Sequence, residues 1–237
     1  MKKLPKKSRF IQTMFSQVPS TYELVNHLLT FGFDIRWRKK TAKIAALANG
    51  SRKADMCTGT GETAIYLKQF SKHQTQVYGI DFSMPMMSEA KKKQKADQIN
   101  FIASDIKALP IRDKSLDLVT ISFATRNLNV TKQSLLQSFH EFYRVLKPGG
   151  HFINLETSQP PLYLLRKGFH LYVKLFVKLI GARISGSKTA YAYLAKSMTL
   201  FYSAEELADI IRQAGFEEVS FKKLLFGVAA IHHSRKF

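Results

Sequence analysis

The stretch Ala54-Asp-Met-Cys-Thr-Gly-Thr-Gly-Glu62 decides the fold. A short, mostly apolar segment runs into two glycines one residue apart, and Glu62 to Phe70 then continues with helical character. In a strand, glycine loop and helix so joined, the amides of the helix N-terminus face a ligand and the glycines let the backbone approach it. With Ala64 the stretch also satisfies the loose dinucleotide pattern G-x-G-x-x-A, and Asp81 follows about twenty residues later, where a ribose-binding acid belongs. At this step an NAD-dependent oxidoreductase is a live rival reading.

Outward from the loop, strands and helices alternate. Residues 54–58, 76–82, 100–105, 116–123 and 151–156 read as strands, and 62–70, 85–96 and 133–146 as helices. The run Leu-Asp-Leu-Val-Thr-Ile-Ser-Phe at 116–123 is apolar enough for a strand buried on both faces. Lys147-Pro-Gly-Gly150 predicts a helix stop and a turn. Upstream, Phe10 to Ala48 reads as helical, with a start signal at Pro19-Ser20 and a stop at Asn49-Gly50. After Pro160-Pro161 a helical insertion lasts to about Tyr202. Ser203-Ala-Glu-Glu206 then opens a helix that ends at Gly215, and 218–225 and 227–235 read as two strands turning at Gly227. Alternation at these intervals implies a parallel sheet with right-handed crossovers. A parallel core closed by a helix and a terminal hairpin predicts the α/β, Rossmann-like fold of class I S-adenosylmethionine-dependent methyltransferases. The expected sheet is seven-stranded and mostly parallel, with a helical cap. The whole chain, 1–237, reads as one domain: an N-terminal helical segment (1–49), a cofactor-binding core (50–157), a substrate-side insertion (158–204) and a terminal helix and hairpin (205–237).

Three features turn the nucleoside site from NAD toward S-adenosylmethionine. Asp55 stands inside the first strand, where its carboxylate can face the ammonium of a bound amino acid, a group NAD lacks. Asp105 closes the third strand and puts a second acid at the same sheet edge, near an adenine amino group. The terminal hairpin is the third. The candidate cofactor-binding residues are therefore Asp55, Gly59, Thr60, Gly61, Asp81 with Phe82 beside it, and Asp105.

These blocks resemble a family, the ubiquinone/menaquinone-biosynthesis C-methyltransferases of the UbiE type, over nearly the whole chain from about Phe15 to Phe237. Tyr22-Glu-Leu-Val-Asn26, Leu29-Thr-Phe-Gly32 and Trp37-Arg38 are similar to the family's N-terminal signature. Ala54 to Gly61 resembles L-D-x-x-G-G-T-G, and Ala108-Leu-Pro-Ile111, Thr120-Ile-Ser-Phe123 and Arg126-Asn127 follow A-L-P-F … T-I-S-F-G-x-R-N. Tyr191-Ala-Tyr-Leu-Ala-Lys-Ser197 and Gly227-Val-Ala-Ala-Ile-His232 match two later blocks, whereas Tyr143 to Gly150 is common to many methyltransferases. The resemblance implies methylation of a ring carbon of a polyprenylated quinol, with cofactor contacts at Thr60, Asp81, Asp105, Ile106 and Ser122. The chain departs from the pattern at Glu23, Thr58, Ala124-Thr125 and Gly186-Ser-Lys-Thr-Ala190, the last two on the substrate side.

Such a reaction needs a base, or a cation to stabilise the quinolate oxygen. Arg126 is the candidate cation, Asn127 can orient the same oxygen, and Tyr22 and Tyr191 are candidate substrate hydroxyls. No metal site is expected: His232 and His233 are neighbours in a strand and face opposite ways, and the other histidines show no ligand spacing. Cys57, the single cysteine, reads as a small buried hydrophobe and fits a reducing compartment.

The charge is unusual: 37 Lys and Arg against 17 Asp and Glu, a net +20. From Thr157 to Ala204 there is no acid, while Arg166, Lys167, Lys174, Lys178, Arg183, Lys188 and Lys196 fall there. Arg166, His170, Lys174 and Lys178 recur every four residues, with Leu165, Phe169, Tyr172, Phe176 and Leu179 elsewhere around the helix. A basic amphipathic helix of this kind suits an anionic membrane surface, where a polyprenyl quinol resides. The alternative is a helix that packs its apolar face on the sheet and solvates the rest. No signal peptide and no membrane-spanning run is read, so the expectation is a cytosolic protein with peripheral membrane contact. Three rivals stay open: a methyltransferase of the same fold with another small substrate, an RNA methyltransferase favoured by charge alone, and a non-catalytic cofactor-binding protein. Nucleic acid is the weaker partner reading, since no RNA-binding motif is appended.

Overall fold

The computed structural model describes residue 13 and residues 19–177, 180, 183–184 and 187–237. Its strands are β1 (Arg52–Met56), β2 (Gln76–Asp81), β3 (Ile99–Ala103), β4 (Leu116–Ser122), β5 (Leu146–Thr157), β6 (Glu217–Leu224) and β7 (Ala229–Arg235). They form one sheet in the order β3-β2-β1-β4-β5-β7-β6. Pairing is parallel from β3 to β5, and β7 lies antiparallel between β5 and β6. The expected mostly parallel seven-stranded sheet with a terminal antiparallel hairpin is therefore present.

The central strands alternate between two buried layers, which is why they read as unbroken apolar runs. Val119, Ile121 and Phe152 pack on one face with Phe139, Phe142 and Ile211, while Leu118, Ile153 and Leu155 pack on the other with Trp37, Ala45 and Leu67. The first layer is supplied by α6 (Lys132–Val145) and α9 (Ala204–Gln213), the second by α2 (Phe33–Ala46) and α3 (Glu62–Phe70). The expected cap at Ser203 forms a complete capping box: Glu206 N–H donates to the Ser203 hydroxyl and Ser203 N–H donates to the Glu206 carboxylate.

A fully buried lysine ties the N-terminal helices to this sheet. Lys53 Nζ donates to the carbonyls of Ala45, Ala46 and Ala48 at 2.9–3.0 Å, at and just past the C-terminus of α2, where carbonyls run short of helical donors.

Two expectations need correction. The continuous helical reading of Phe10 to Ala48 is broken: α1 (Pro19–Leu29) and α2 are separated by Phe31 and Gly32, both left-handed (φ 52° and 73°), and residues 10–12 and 14–18 lie outside the described residues. The turn expected at Lys147–Gly150 lies within the start of β5, where Gly149 takes φ 76° and its amide donates to Lys236 O.

The insertion forms the expected helical cap. After α4 (Met84–Lys91), α5 (Thr125–Leu128) and the core helices come α7 (Tyr163–Tyr172), a π-helical turn over Val173–Val177, and α8 (Lys188–Thr199). Val173, Val177, Tyr191 and Ala195 bury against Val25 and Leu29 of α1, so the two ends of the chain's helical material close over the sheet together. The β6–β7 turn rests on the same region: Ser158 N–H donates to Val228 O, and a Cβ at Gly227 (φ 95°) would stand 2.9 Å from Pro161 Cδ.

Candidate active site

β1 lies between β2 and β4, the point at which the sheet's strand order reverses and where a crevice opens at the carboxyl ends of parallel strands. Register brings that edge into line, since Met56 pairs with both Ile80 and Ile121. Cys57, Asp81 and Ser122 therefore leave the sheet side by side. The loop after β1 is left-handed at Cys57, Gly59 and Gly61 (φ 51°, 57° and 79°). Its fixed point is Asp81: Gly59 N–H donates to Oδ2 and Ser83 N–H to Oδ1, each at 2.8 Å. Burial pushes the Asp81 carboxyl above its usual pKa, and the backbone amides of Ser83, Gly59 and Phe82 oppose that shift.

A cavity of about 110 Å³ sits on this loop, walled by Thr58, Gly59, Thr60, Asp81 and Phe82 and, further round, by Asp105, Ile106, Ser122 and Asn127. Ser122 Oγ and Asn127 Oδ1 are buried and, among the described residues, have no hydrogen-bond partner, so the wall carries unspent polar atoms. Asp105 stands exposed at the rim, accepting from Lys107 N–H at 3.0 Å. Cys57, half-buried, packs against the core as a small hydrophobe and also walls this cavity, and burial pushes its thiol pKa well up.

Two expected cofactor contacts lie behind the wall. Asp55 is buried beneath the loop, where its carboxylate accepts from Thr58 Oγ1 at 2.7 Å and Thr120 Oγ1 at 2.8 Å, so it braces β1 and the loop against β4. Burial raises its pKa to about 6 against the two hydroxyl donors. Gly61 faces α4, where a Cβ would stand 3.0 Å from Ala90 Cβ; its glycine serves helix packing.

A second cavity, of about 500 Å³ and largely apolar, opens beside the first. Leu29, Phe169, Leu194, Met198 and Val228 contribute to it from α1, α7, α8 and the hairpin. Tyr22, Arg38 and Phe123 wall both cavities, which marks the place where they meet. Arg126 faces the large cavity and Asn127 the small one. Successive residues on a helix diverge by about 100°, so the pair on the single turn of α5 does not converge on one oxygen as expected.

Arg126 is buried and held by Glu156, a residue that belongs to no motif. Its Nη1 donates to Glu156 Oε1 at 2.6 Å and to Phe123 O at 2.9 Å, and its backbone N–H donates to Glu156 Oε2 at 3.1 Å. Glu156 is fully buried and also accepts from the amide and hydroxyl of Thr157. Burial acts to lower the Arg126 pKa, and the facing Glu156 carboxylate outweighs it and raises the pKa above the usual value. Tyr191, an expected substrate hydroxyl, walls neither cavity. It packs with Val173 and Ala195 because α8 turns Leu194 and Met198, not Tyr191, toward the opening.

One grouping of possible ligand atoms occurs among the described residues. Glu23 and His27, one helical turn apart on α1, meet Glu62 with ligand atoms within 4.8 Å of one another. Each already has a partner: Lys93 for Glu23, Asp34 at 2.8 Å for His27 and Arg38 at 3.4 Å for Glu62. His232 and His233 do point apart, the first to Ala204 O and the second to His151.

A seven-stranded sheet of this order, with a glycine loop, an acid closing β2 and an acid after β3 around one crevice, defines a class I S-adenosylmethionine-dependent methyltransferase, and S-adenosylmethionine is its cofactor. The chain belongs to the ubiE/COQ5 methyltransferase family, which it matches over residues 2–236. It is 38% identical over 221 residues to the demethylmenaquinone methyltransferase of Thermus thermophilus, covering 92% of this chain and 98% of that one. It is 36% identical to the ubiquinone/menaquinone biosynthesis C-methyltransferase UbiE of Desulfotalea psychrophila, covering 94% and 88%. Among solved structures, a SAM-dependent methyltransferase of Thermotoga maritima, described as a possible histamine N-methyltransferase, superposes with a TM-score of 0.64 at 19% identity, covering 96% and 100%; it shares the fold.

Asp55 makes stability pH-dependent in an unusual direction. With a folded pKa of about 6 against an ordinary 3.8, the folded state binds more protons than the unfolded chain between those values. Stability contributed by this group therefore falls as pH rises through the window and is lost above it. Urea titrations of wild type and Asp55→Asn from about pH 4 to 7 should show the wild type falling relative to the variant by up to about 3 kcal/mol. Parallel profiles would show that Asp55 is ionised throughout.

Proposed function

We propose that this chain transfers the methyl group of S-adenosylmethionine to a ring carbon of a polyprenylated quinol. The observation that carries the reading is the apolar cavity of about 500 Å³ that meets the glycine-loop cavity at Tyr22, Arg38 and Phe123. An apolar cavity of that size with few convergent polar groups suits a ring and the start of its lipid tail. The Thermus relative's name, demethylmenaquinone methyltransferase, favours a naphthoquinol.

The cofactor supplies a methyl group on a sulfonium, open to in-line attack, so the protein's work is positioning and control of charge. On this reading Asp81 keeps lone pairs for ribose hydroxyls after its two amide bonds, Asp105 and Ile106 border the adenine, and Thr60, Phe82, Ser122 and Asn127 complete the wall. Tyr22 belongs to both partners. A ring carbon becomes nucleophilic as a neighbouring hydroxyl loses its proton. Among the described residues Arg126 is the cation that walls the ring's cavity without walling the other, and its Nε is buried with no hydrogen-bond partner there. We assign Arg126 to the quinolate oxygen, with Glu156 as the group that fixes its orientation. Glu156 also offsets its charge, so the stabilisation is delivered by a directed N–H donor more than by net charge.

Methyl transfer from labelled S-adenosylmethionine to a short-chain demethylnaphthoquinol, kept reduced, should yield a C-methylated product. Arg126→Lys should lower kcat by roughly a hundredfold, the cost of losing one directed donor, with S-adenosylmethionine affinity unchanged. Label transferred to RNA and not to the quinol, or a normal kcat in the variant, would contradict the reading.

The same reading places the chain on an anionic membrane surface. Phe31 and Leu164, each 80% exposed, and Phe226, 76% exposed, all border the apolar cavity, from three separate segments. Arg166 and Lys167 are exposed beside Leu164, and Lys167 lies 4.5 Å from the Tyr163 ring centroid. The four-residue basic stripe itself is not continuous. His170 Nε2 meets Gln159 Oε1 at 2.7 Å, and burial with Arg166 and Lys174 nearby lowers its pKa. The π turn shifts the register from Val173 onward, and Lys178 and Leu179 lie outside the described residues. No helix among the described residues is long and apolar enough to cross a membrane. Sedimentation with anionic liposomes should exceed that with neutral ones at low salt and weaken as salt screens the contact; equal binding to both at low salt would count against a charged docking surface.

A further inference from the structure

The apolar cavity carries one carboxylate among the described residues, and the chemistry above gives it no work. Asp34 sits in the first turn of α2 and is 2% exposed, yet it walls the cavity assigned to the ring. Its helix turns Phe33, Asp34, Trp37 and Arg38 to that cavity, one stripe at helical spacing. Phe31 and Gly32, both left-handed, fold the chain back, so the end of α1 and the start of α2 meet at this carboxylate. His27 Nδ1 lies 2.8 Å from Asp34 Oδ2 and donates to it, since a carboxylate only accepts. The first turn of a helix also favours a negative charge.

Thr30 decides what this carboxyl can do. Its hydroxyl has one hydrogen and two close acceptors, Asn26 O at 2.8 Å and Asp34 Oδ1 at 2.6 Å. With Asp34 ionised, that hydrogen points to Oδ1. With Asp34 protonated, Oδ1–H donates to the Thr30 oxygen and the Thr30 hydrogen turns to Asn26 O, which holds the Thr30 amide in both cases. Rotation of one hydroxyl thus satisfies both protonation states, and a buried carboxyl can gain or lose a proton without stranding a polar group. The other ionisable groups on the cavity's wall are Arg38, Arg126 and the phenols of Tyr22 and Tyr172, and an arginine cannot act as a base. Packed around Asp34 and its partners are Tyr22, Glu23 and His27 of α1, Arg38 of α2, and Glu62 and Tyr66 of α3.

We propose that Asp34 is the general base that takes the hydroxyl proton of the quinol, with Thr30 and His27 as its positioning residues. The proposal rests on the apolar cavity's holding the quinol ring. The O–H bond breaks, its electron pair stays on oxygen and the proton goes to Asp34. The ring carbon bonds to the methyl carbon, and the old sulfur–carbon pair stays on sulfur. The methylated carbon then loses its ring hydrogen to solvent while Asp34 returns its proton to the oxygen. One proton is released for each methyl transferred, and Arg126 holds the oxygen while it is charged.

The test compares Asp34→Asn with wild type in single turnovers at saturating S-adenosylmethionine, on two acceptors. One is a short-chain demethylnaphthoquinol, the other an electron-poor naphthol already ionised at the assay pH. On the quinol the variant should be slower by about a hundred- to ten-thousandfold, and its rate should climb about tenfold per pH unit as the quinol ionises in solution, while wild type stays level. On the ionised naphthol the two proteins should react at similar rates. A merely structural Asp34 would slow both acceptors equally and leave the pH profiles parallel, which would overturn the proposal. Wild type alone also decides, whether or not the variant folds: a rate on the quinol that climbs about tenfold per pH unit would mean that hydroxide, not Asp34, removes the proton. Calorimetry of the quinol against the S-adenosylhomocysteine complex runs alongside. A wild type that did not bind it would overturn the assignment of the apolar cavity, a failure distinct from that of the base.

Discussion

The hydrogen bond from Gly59 N–H to Asp81 Oδ2, 2.8 Å long, is the constraint on which the site depends. β1 and β2 are neighbours in the sheet, but their register ends at Met56 and Ile80, and beyond that edge the chain must turn away. It does so through Cys57, a non-glycine residue held at φ 51°, and two left-handed glycines. Left-handed backbone at a side-chain-bearing residue persists where surroundings over-determine it. Asp81 above the loop and Asp55 below it, on Thr58 and Thr120, supply that determination. Both carboxyls are desolvated and carry raised pKa values, the cost of clamping a loop with acids that are largely shut off from water.

Buried charge is used three times more, each time to join elements that apolar packing alone would leave free to slide. Lys53 fastens α2 to β1 through three carbonyls. The Arg126–Glu156 pair fastens α5 to the end of β5. Arg38 and Glu62 join α2 to the first turn of α3. A buried ion pair contributes little net stability against an apolar pair of similar shape, but it fixes geometry, and removing one partner strands the other. Arg126 and Arg38 wall the cavities, so the rigidity of those two joints is spent on the distance between the glycine loop and the apolar pocket, while Lys53 holds α2 at the other end of β1. Around the pocket's mouth the opposite holds: Phe31 and Phe226 are large, exposed and left-handed (φ 52° and 55°).

The sheet was legible because parallel strands covered on both faces read as apolar runs, and because helices and strands alternate at characteristic lengths. The glycine loop, Asp81 and Asp105 were legible because their chemistry is local to strand ends. What escaped the sequence reading depends on contacts distant along the chain. Asp55 looked like a ligand-facing acid because its partner Thr120 lies 65 residues away. Glu156 carried no motif, and its partner Arg126 is 30 residues away. Asn127 seemed to share a target with Arg126 until one turn of helix sent them into different cavities. Tyr191 sat in a Tyr-x-Tyr block in which the face of α8, invisible in the motif, decides which side chain is core.

The most direct test of a donor cavity and an apolar acceptor cavity meeting at Tyr22, Arg38 and Phe123 is a ternary structure. It would hold the chain with S-adenosylhomocysteine and a short-chain demethylnaphthoquinol. The account predicts the adenosine on the glycine loop, the ring in the apolar cavity, and room between sulfur and ring carbon for a sulfur-bonded methyl whose carbon would stand at a near-attack spacing of about 3–3.5 Å from the ring carbon. A nucleoside lying in the apolar cavity, or a ring bound outside it with no line to the sulfur, would contradict the account.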